Sequence, residues 1–463
     1  MNKRNFKSVF HTISLTLIVT ATAFAQGAVS VKVDEFISSE MIRQKTPGLS
    51  LAVINDGRPI IVKGYGLANI EHQVPVKPET IFQSGSVGKQ FTSMAVMMLV
   101  EEGKIGLDDK LTKYITDVPA TWSGITIRHL LTHTSGLGDY PQSFDLQRDS
   151  SEQEIFKQLQ SVPPEFAPGE RWAYSNVGYV TLGVLIRKVS GQFYGDFLAQ
   201  RVFKPLGMIT ARVISEADIV HNRAAGYELV KGEIKNQRWV APSLNTTADG
   251  ALYLTALDMV KWDEALSNGK LLKKESYDQM WSPVKLNNGL THPYGFGWML
   301  GNVNGKKLIE HGGSWQGFKT HISRYPDNKL TVIVFANLAQ TNQSKIAHGV
   351  AEILSPDLVP KPIADPDPAL TLQTRALLDS VIARKADLTK FTPEVQEVLK
   401  NPDRLADFVK TLGALMSFKF FDKVEGPGGT RYRYKVEYTE MTLSLVVVID
   451  KQGKIAGFGL QPE

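Results

Sequence analysis

A chain of 463 residues, 43% of them hydrophobic and 21% charged, has apolar material for a large core and more than one domain. Its formal charge of +5 falls to +2 once the first 25 residues, with Lys3, Arg4, Lys7 and no acid, are set aside; that balance gives no reason to expect nucleic acid or an anionic membrane surface as partner. Cysteine is absent, which excludes disulfides, thiolate metal sites and a lipid-modified leader cysteine.

Residues 1–25 read as an export signal: a basic start, the apolar run "SLTLIVTATAFA", and a small-x-small cleavage site at Ala23-Phe24-Ala25. The run is shorter than the ~20 residues a membrane span needs. Cleavage near Ala25 would leave a periplasmic or secreted bacterial protein with no stable membrane insertion. Next, "GLSLAVINDGRPIIVKGYG" predicts two strands joined at Asn55-Asp56-Gly57. A long apolar helix opens at Ser86, and the chain from about 105 to 290 reads as helices and loops. Strand patterns return in "YGFGWML" (Tyr294 to Leu300), "KKLIEHGG", "GFKTHISRY" and "LTVIVFANL". Strands at both ends of a unit predict an α/β fold of the α+β type: one antiparallel sheet from the N- and C-terminal halves, flanked by helices, with an inserted helical lobe. That unit covers 27–354. A linker with five prolines in "SPDLVPKPIADPDPALT" follows at 355–370, then a small α+β accessory domain at 371–463.

Three Ser-x-x-Lys tetrapeptides occur, beginning at Ser86, Ser267 and Ser282. Ser267 opens a glycine turn and Ser282 precedes a proline. Ser86 alone stands where a strand gives way to a buried helix, whose free N–H groups and dipole would stabilise a seryl alkoxide. Lys89, one turn on, can take its proton if its surroundings depress its pKa. A helix-capping serine beside a solvent lysine is the plain alternative. A phosphate loop is excluded, because Gln83 and Gln90 stand where that motif needs glycine and Ser or Thr.

Tyr174 and Asn176 in "RWAYSNVGYV" offer a phenol to exchange protons with a lysine and an amide to hold a substrate carbonyl, or simply a tyrosine packed in the core. In "IEHGGSWQGF", Gly312 and Gly313 permit close approach of another backbone, so that the N–H of Ser314 can complete an oxyanion hole with that of Ser86. The same segment also fits a bulged strand with a surface histidine, His311.

Taken in order, Ser-x-x-Lys, Tyr-x-Asn and His-x-Gly, with "LLTHTSGL", "FAPGERWAYSNVGY", "YGFGW" and "HGGSWQGF", resemble the penicillin-recognising serine hydrolases, nearest to their class C β-lactamase-like branch, over about 40 to 352. The resemblance implies a β-lactamase/transpeptidase-like fold. It also implies Ser86 as nucleophile, Lys89 as proton acceptor, Tyr174 as acid/base partner, Asn176 as ligand of a substrate carbonyl, and His311 with Gly313 as the third wall. "THTSGL" reads as structural, a helix end closed by Gly136. Relatives that bind penicillins well usually carry lysine at the place of His311. A histidine there, charging only as the pH falls toward its ordinary value of about 6.5, favours ester or amide hydrolysis over β-lactams. The expected substrate is a small ester, amide or peptide. A penicillin-binding D-amino-acid peptidase or weak β-lactamase, and a non-catalytic binder of cell-wall fragments, are the alternatives. No H-E-x-x-H pattern occurs among the nine histidines, so neither metal nor cofactor is expected. The sequence leaves the oligomeric state open.

Overall fold

Asp56 and Gly57 both take positive φ, +47° and +72°, the handedness that a two-residue hairpin turn requires. Asn55 consequently pairs with Arg58, joining β1 (Gly48–Asn55) to β2 (Arg58–Asn69). The computed structural model describes residues 29–462 apart from 142, 362, 400–402, 427 and 440. The export signal read at residues 1–25 lies outside the described residues. A helix, α1, covers 29–44.

Five further strands complete the main sheet: β3 (Val74–Pro75), β4 (Met299–Val303), β5 (Lys306–Trp315), β6 (Phe318–Tyr325) and β7 (Leu330–Ala336). The order is β4-β5-β6-β7-β1-β2-β3, antiparallel at every pair. The seam between the two ends of the chain is β1 against β7, with Leu49 opposite Ala336.

Successive side chains of these strands enter different cores, as a period of two demands. Leu49, Leu51 and Val53 of β1 join Val332 and Val334 of β7 in one cluster, beneath Val33 and Ile37 of α1 and Ile346 and Val350 of a late helix. Ala52, Ile54, Ile333 and Phe335 enter the other, which holds the inserted helices. Both faces are buried, which explains the nearly continuous apolar run of β7. Three helices matter below: α2 (Lys89–Glu101), α3 (Asn176–Ser190) and α4 (Gln343–Leu354). The helix expected to open at Ser86 is preceded by a 3-10 turn over Gly85–Gly88, so α-helical geometry begins at Lys89.

Tyr294 to Leu300, expected as one strand, is extended only from Met299. Gly297 turns at φ +76°, where a Cβ would stand 3.0 Å from the backbone carbon and oxygen of Lys89. A tight loop therefore seats against the start of α2 where a straight strand would run.

The chain divides into two units, with Pro360 onward and Gly289–His292 forming the second. The division falls within the proline-rich stretch. In the second unit lie α5 (Pro368–Ile382), α6 (Pro393–Leu399), α7 (Asp403–Lys410) and a four-stranded antiparallel sheet in sequential order: β8 (Leu415–Gly426), β9 (Gly429–Tyr438), β10 (Thr442–Ile449) and β11 (Ile455–Pro462). The outer strands β8 and β11 escape the sequence reading, because β8 carries charge and β11 carries glycine on alternate positions.

Candidate active site

Lys89 is fully buried at the first turn of α2, and its surroundings decide what its amine can do. Nζ lies 2.7 Å from Asn176 Oδ1, 2.5 Å from the backbone oxygen of Asp249 and 3.1 Å from Ser86 Oγ. The first two are carbonyl oxygens and can only accept. A neutral lysine amine has two N–H groups, so both are taken and the lone pair is left for the Ser86 hydroxyl. Burial pushes the Lys89 pKa down to about 8, against the opposing pull of the Asp249 and Asp139 carboxylates.

The partners are held by local chemistry. Ser175 caps α3, its Oγ accepting from the N–H of Gly178 at 2.9 Å. This puts Asn176 in the first turn of the helix and Tyr174 just before it. The Asn176 amide is oriented by Asp139, whose two carboxylate oxygens lie 3.0 and 3.2 Å from Nδ2. Thr92, three residues after Lys89, donates to the oxygen of Ala248 at 2.7 Å, so α2 grips the 248–249 backbone twice. The Tyr174 ring centroid is 5.0 Å from Lys89 Nζ. Burial raises the Tyr174 phenol well above its ordinary pKa while the Ser86 hydroxyl, hydrogen-bonded to it, opposes the shift. A phenol so raised keeps its proton across ordinary pH and serves as a donor.

Two glycines bring β5 onto the Ser86 turn. A Cβ on Gly313 would lie 2.1 Å from the oxygen of Ser84, 2.3 Å from Thr320 Oγ1 and 3.1 Å from the nitrogen of Ser86. One on Gly85, at φ +51°, would lie 2.4 Å from the nitrogen of Ser314. The N–H groups of Ser86 and Ser314 are thereby gathered on one side of the cleft. Thr320 Oγ1 donates to the oxygen of Ser84 at 2.5 Å and fastens β6 to the same turn.

His311 is placed differently from expectation. It is 3% exposed, and burial, with Lys89 next in weight, pushes its pKa down to about 3. It therefore does not charge as the pH approaches 6. Its ring ends a directed chain of hydrogen bonds. The N–H of Ser175 donates to His133 Nδ1 at 3.0 Å, so the proton of His133 is on Nε2, which donates to Tyr294 Oη at 3.0 Å. Tyr294 then donates to His311 Nε2 at 2.9 Å, and His311 Nδ1 donates to the oxygen of Gly312 at 2.7 Å. Backbone groups at both ends fix every proton between them. His133 also corrects the reading of "THTSGL": the helix Ile127–Leu131 passes through Thr132 into His133, itself left-handed at φ +58°, and Gly136 turns three residues later. The His133 ring packs against Tyr174, tilted by 36° with centroids 4.2 Å apart.

The cleft beside Ser86 has a volume of about 330 Å³ and reaches Asn176, Ser314 and Trp315. The charged side chains lining it are Asp139 and Asp249. A larger groove of about 940 Å³, lined by Asp263, Trp281 and Arg324, holds none of the candidate catalytic side chains. Ser86, Asn176 and Ser314 line this cleft, and Lys89, Tyr174 and Gly313 pack against them from beneath; His311 is also off the lining, its ring centroid 6.2 Å from that of Tyr174. Asn176, expected to face a substrate carbonyl, turns its oxygen to Lys89 and its nitrogen to Asp139. Sequence reasoning missed Asp139, Tyr140, Asp249, His133 and Tyr294. His133 and Tyr294 lie inside "THTSGL" and "YGFGW", and Asp139 and Tyr140 follow "THTSGL" within three residues, but no local pattern marks Asp249.

Known proteins place this geometry in context. The chain is 35% identical over 291 residues to penicillin-binding protein 4* of Bacillus subtilis, a match covering 59% of this chain and 64% of that one. It spans less than two thirds of that protein's length. It is 24% identical over 369 residues to a D-aminopeptidase of Gluconobacter oxydans, covering 78% of this chain and 67% of that one. Among solved structures, the octameric penicillin-binding protein homologue from Pyrococcus abyssi superposes with a TM-score of 0.65 at 25% identity, over 93% of this chain and all of that one. The profile of the Beta-lactamase family matches residues 33–354, which hold every side chain of the cleft, and the chain belongs to that family.

Proposed function

We propose that this protein is an exported serine hydrolase that forms an acyl-enzyme on Ser86 and cleaves ester or amide bonds of small substrates. One observation carries the reading: Lys89 Nζ meets two carbonyl oxygens and Ser86 Oγ, with no further hydrogen-bond partner among the described residues, so that when the amine is neutral its two N–H groups go to the carbonyls and its lone pair to the Ser86 hydroxyl. In the proposed sequence Lys89 accepts the Ser86 proton as Oγ attacks the substrate carbonyl, and the N–H groups of Ser86 and Ser314 hold the oxyanion. Tyr174 gives its proton to the leaving group and recovers one from Lys89. Water then attacks the acyl-serine and its proton passes to the neutral Lys89; Ser86 leaves as Tyr174 protonates its Oγ, and Tyr174 recovers that proton from Lys89.

The cleft's charge favours acyl groups with a cation near the scissile bond. Asp139 and Asp249 would attract an ammonium and repel the carboxylate of a penicillin. An amine-bearing D-aminoacyl amide or short peptide fits this charge, and the likeness to a D-aminopeptidase points the same way. Export rests on residues 1–25; among the described residues no helix is long and apolar enough to cross a membrane.

A fluorophosphonate, with peptide mapping, tests the nucleophile. The adduct is expected on Ser86, and Ser86→Ala should lower turnover at least about 10³-fold. Labelling that survives Ser86→Ala or maps to Ser267 or Ser282 refutes the assignment. For substrate class, a D-alanyl p-nitroanilide, its N-acetyl derivative, p-nitrophenyl acetate and a penicillin are compared at pH 8. The free-amine anilide should exceed its N-acetyl form at least ~10-fold in kcat/KM, the worth of one partly screened charge contact. A penicillin turned over faster than the acetate ester would overturn the reading.

A further inference from the structure

We propose that Glu310, His321 and His348 form a binding site for a divalent transition-metal ion of zinc's class, on the face of β5 turned away from the catalytic cleft.

Strand register builds the site. Gly312 of β5 stands opposite His321 of β6, and Glu310, two residues from Gly312, shares that face. His311 and Gly313 point the other way by the same period of two. Glycine at 312 keeps the space over the imidazole open: a Cβ there would stand 3.4 Å from His321 Nδ1 and 3.3 Å from Gln343 Nε2. Helix α4 then covers this face and contributes His348.

The three side chains converge on one point. Glu310 Oε2 accepts from His321 Nε2 at 3.0 Å and from His348 Nε2 at 2.7 Å. Their potential ligand atoms all lie within 4.8 Å of one another. Tetrahedral zinc, with bonds of roughly 2.0–2.1 Å, sets its ligand atoms about 3.3 Å apart, so an ion enters by opening the two carboxylate–imidazole spacings a few tenths of an ångström and drawing the two imidazoles together by at most about 1.5 Å. The two imidazoles give up their Nε2 protons to become ligands. His321 Nδ1 is buried without a partner among the described residues, so no contact on that edge fixes its tautomer. Two imidazoles and a carboxylate suit zinc, nickel or iron(II) far better than magnesium or calcium, which take oxygen ligands.

Burial grades the three ligands from inside to outside. The side chains of His321, Glu310 and His348 are 5%, 18% and 35% exposed. An ion therefore has an entry path past His348. No Ser, Lys or Tyr of the catalytic group lies on this face, so the ion's role is to brace β5, the strand that also supplies Ser314 to the cleft. The ligands stand 11 and 27 positions apart in sequence, beyond any short zinc motif, which is why the expectation of no metal could form.

The full chain, stripped with chelator and dialysed against zinc, is assayed for bound metal by mass spectrometry and for Tm; cobalt(II) is titrated in parallel and its visible absorption followed. One equivalent of zinc, a tetrahedral-type cobalt band and a rise in Tm are expected. His348→Ala, at the half-exposed position, should weaken binding at least ~10-fold, the cost of a lost contact at a metal site; His321→Gln should do the same. His72→Ala, an exposed histidine outside the site, should change nothing. Failure of the wild-type chain to retain zinc and cobalt overturns the site. So does binding that is equal in the wild type, His348→Ala and His321→Gln, and either result reduces the cluster to a hydrogen-bonded carboxylate with two imidazoles.

Discussion

At the scale of single residues, the arrangement turns on which proton acceptors surround one amine. Lys89→Arg keeps positive charge and length but cannot deprotonate in the working range. It should reduce kcat/KM for a small ester at least about 10³-fold, read by steady-state kinetics. Retention of a tenth of the activity would show that charge suffices. The depressed Lys89 pKa also sets a pH dependence. The base form is the minority below about 8, so kcat/KM should rise about tenfold per pH unit on the acid side and level off above about 8. Asp249 raises the Lys89 pKa, so Asp249→Asn should move that rise to lower pH. A shift to higher pH, or none, would contradict the electrostatics. Ser86 and Lys89 were legible because the hydroxyl and the amine sit one helical turn apart. Asp139 and Asp249 were not, because they reach Lys89 only after two loops fold against α2.

At the scale of elements, the site depends on how closely β5 can approach the Ser86 turn. Gly313→Ala places a methyl 2.1 Å from a backbone oxygen, with a second contact at 2.3 Å on Thr320. Neither neighbour is the end of a flexible side chain, so β5 must withdraw and carry the Ser314 N–H with it. Loss of one oxyanion donor predicts a kcat lower by roughly 10²–10³, with KM much less affected. A variant folded by circular dichroism and as active as wild type would remove β5 from the chemistry. The hairpin β1–β2 was readable from its turn residues, whereas the loop at Tyr294 was not. "YGFGWML" alternates as a strand does, and only the approach of Lys89 explains why Gly297 bends it away. His133 was hidden differently: its sequence reads as a helix end, and the contacts that give its ring a purpose come from three separate segments.

At the scale of the whole molecule, the second unit holds none of the candidate catalytic side chains, and it has its own core around Leu378, Tyr434 and Leu445. A chain shortened after Val359 should therefore turn over a small ester within about threefold of the full protein. The endpoint matters. Leu358 is buried in the first unit's core, and Asn304 Nδ2 lies 2.8 Å from the oxygens of both Asp357 and Val359. Ending at Ser355, where the sequence alone places the boundary, would cost stability. Total loss of turnover in a folded chain ending at Val359 would mean that the second unit completes the site. The sheet assembled from both ends of the chain was legible because strand patterns flank a helical stretch; its strand order was not, since nothing local tells β1 to lie between β7 and β2.

That seam has a consequence for how the protein reaches its folded state. Leu49 meets Tyr65 of β2 early, but its partner on the other side is Ala336, so the central sheet cannot close until almost three hundred residues of intervening chain are made. Pairings this distant in sequence fold slowly, because the loop must be closed before the contacts reward it. During that interval the newly made polypeptide has no completed sheet to lock it, and an unlocked thread is the form a narrow translocation pore accepts. The topology that delays folding is thus compatible with the export proposed from residues 1–25, since a translocated chain must stay open through transit and close only on arrival.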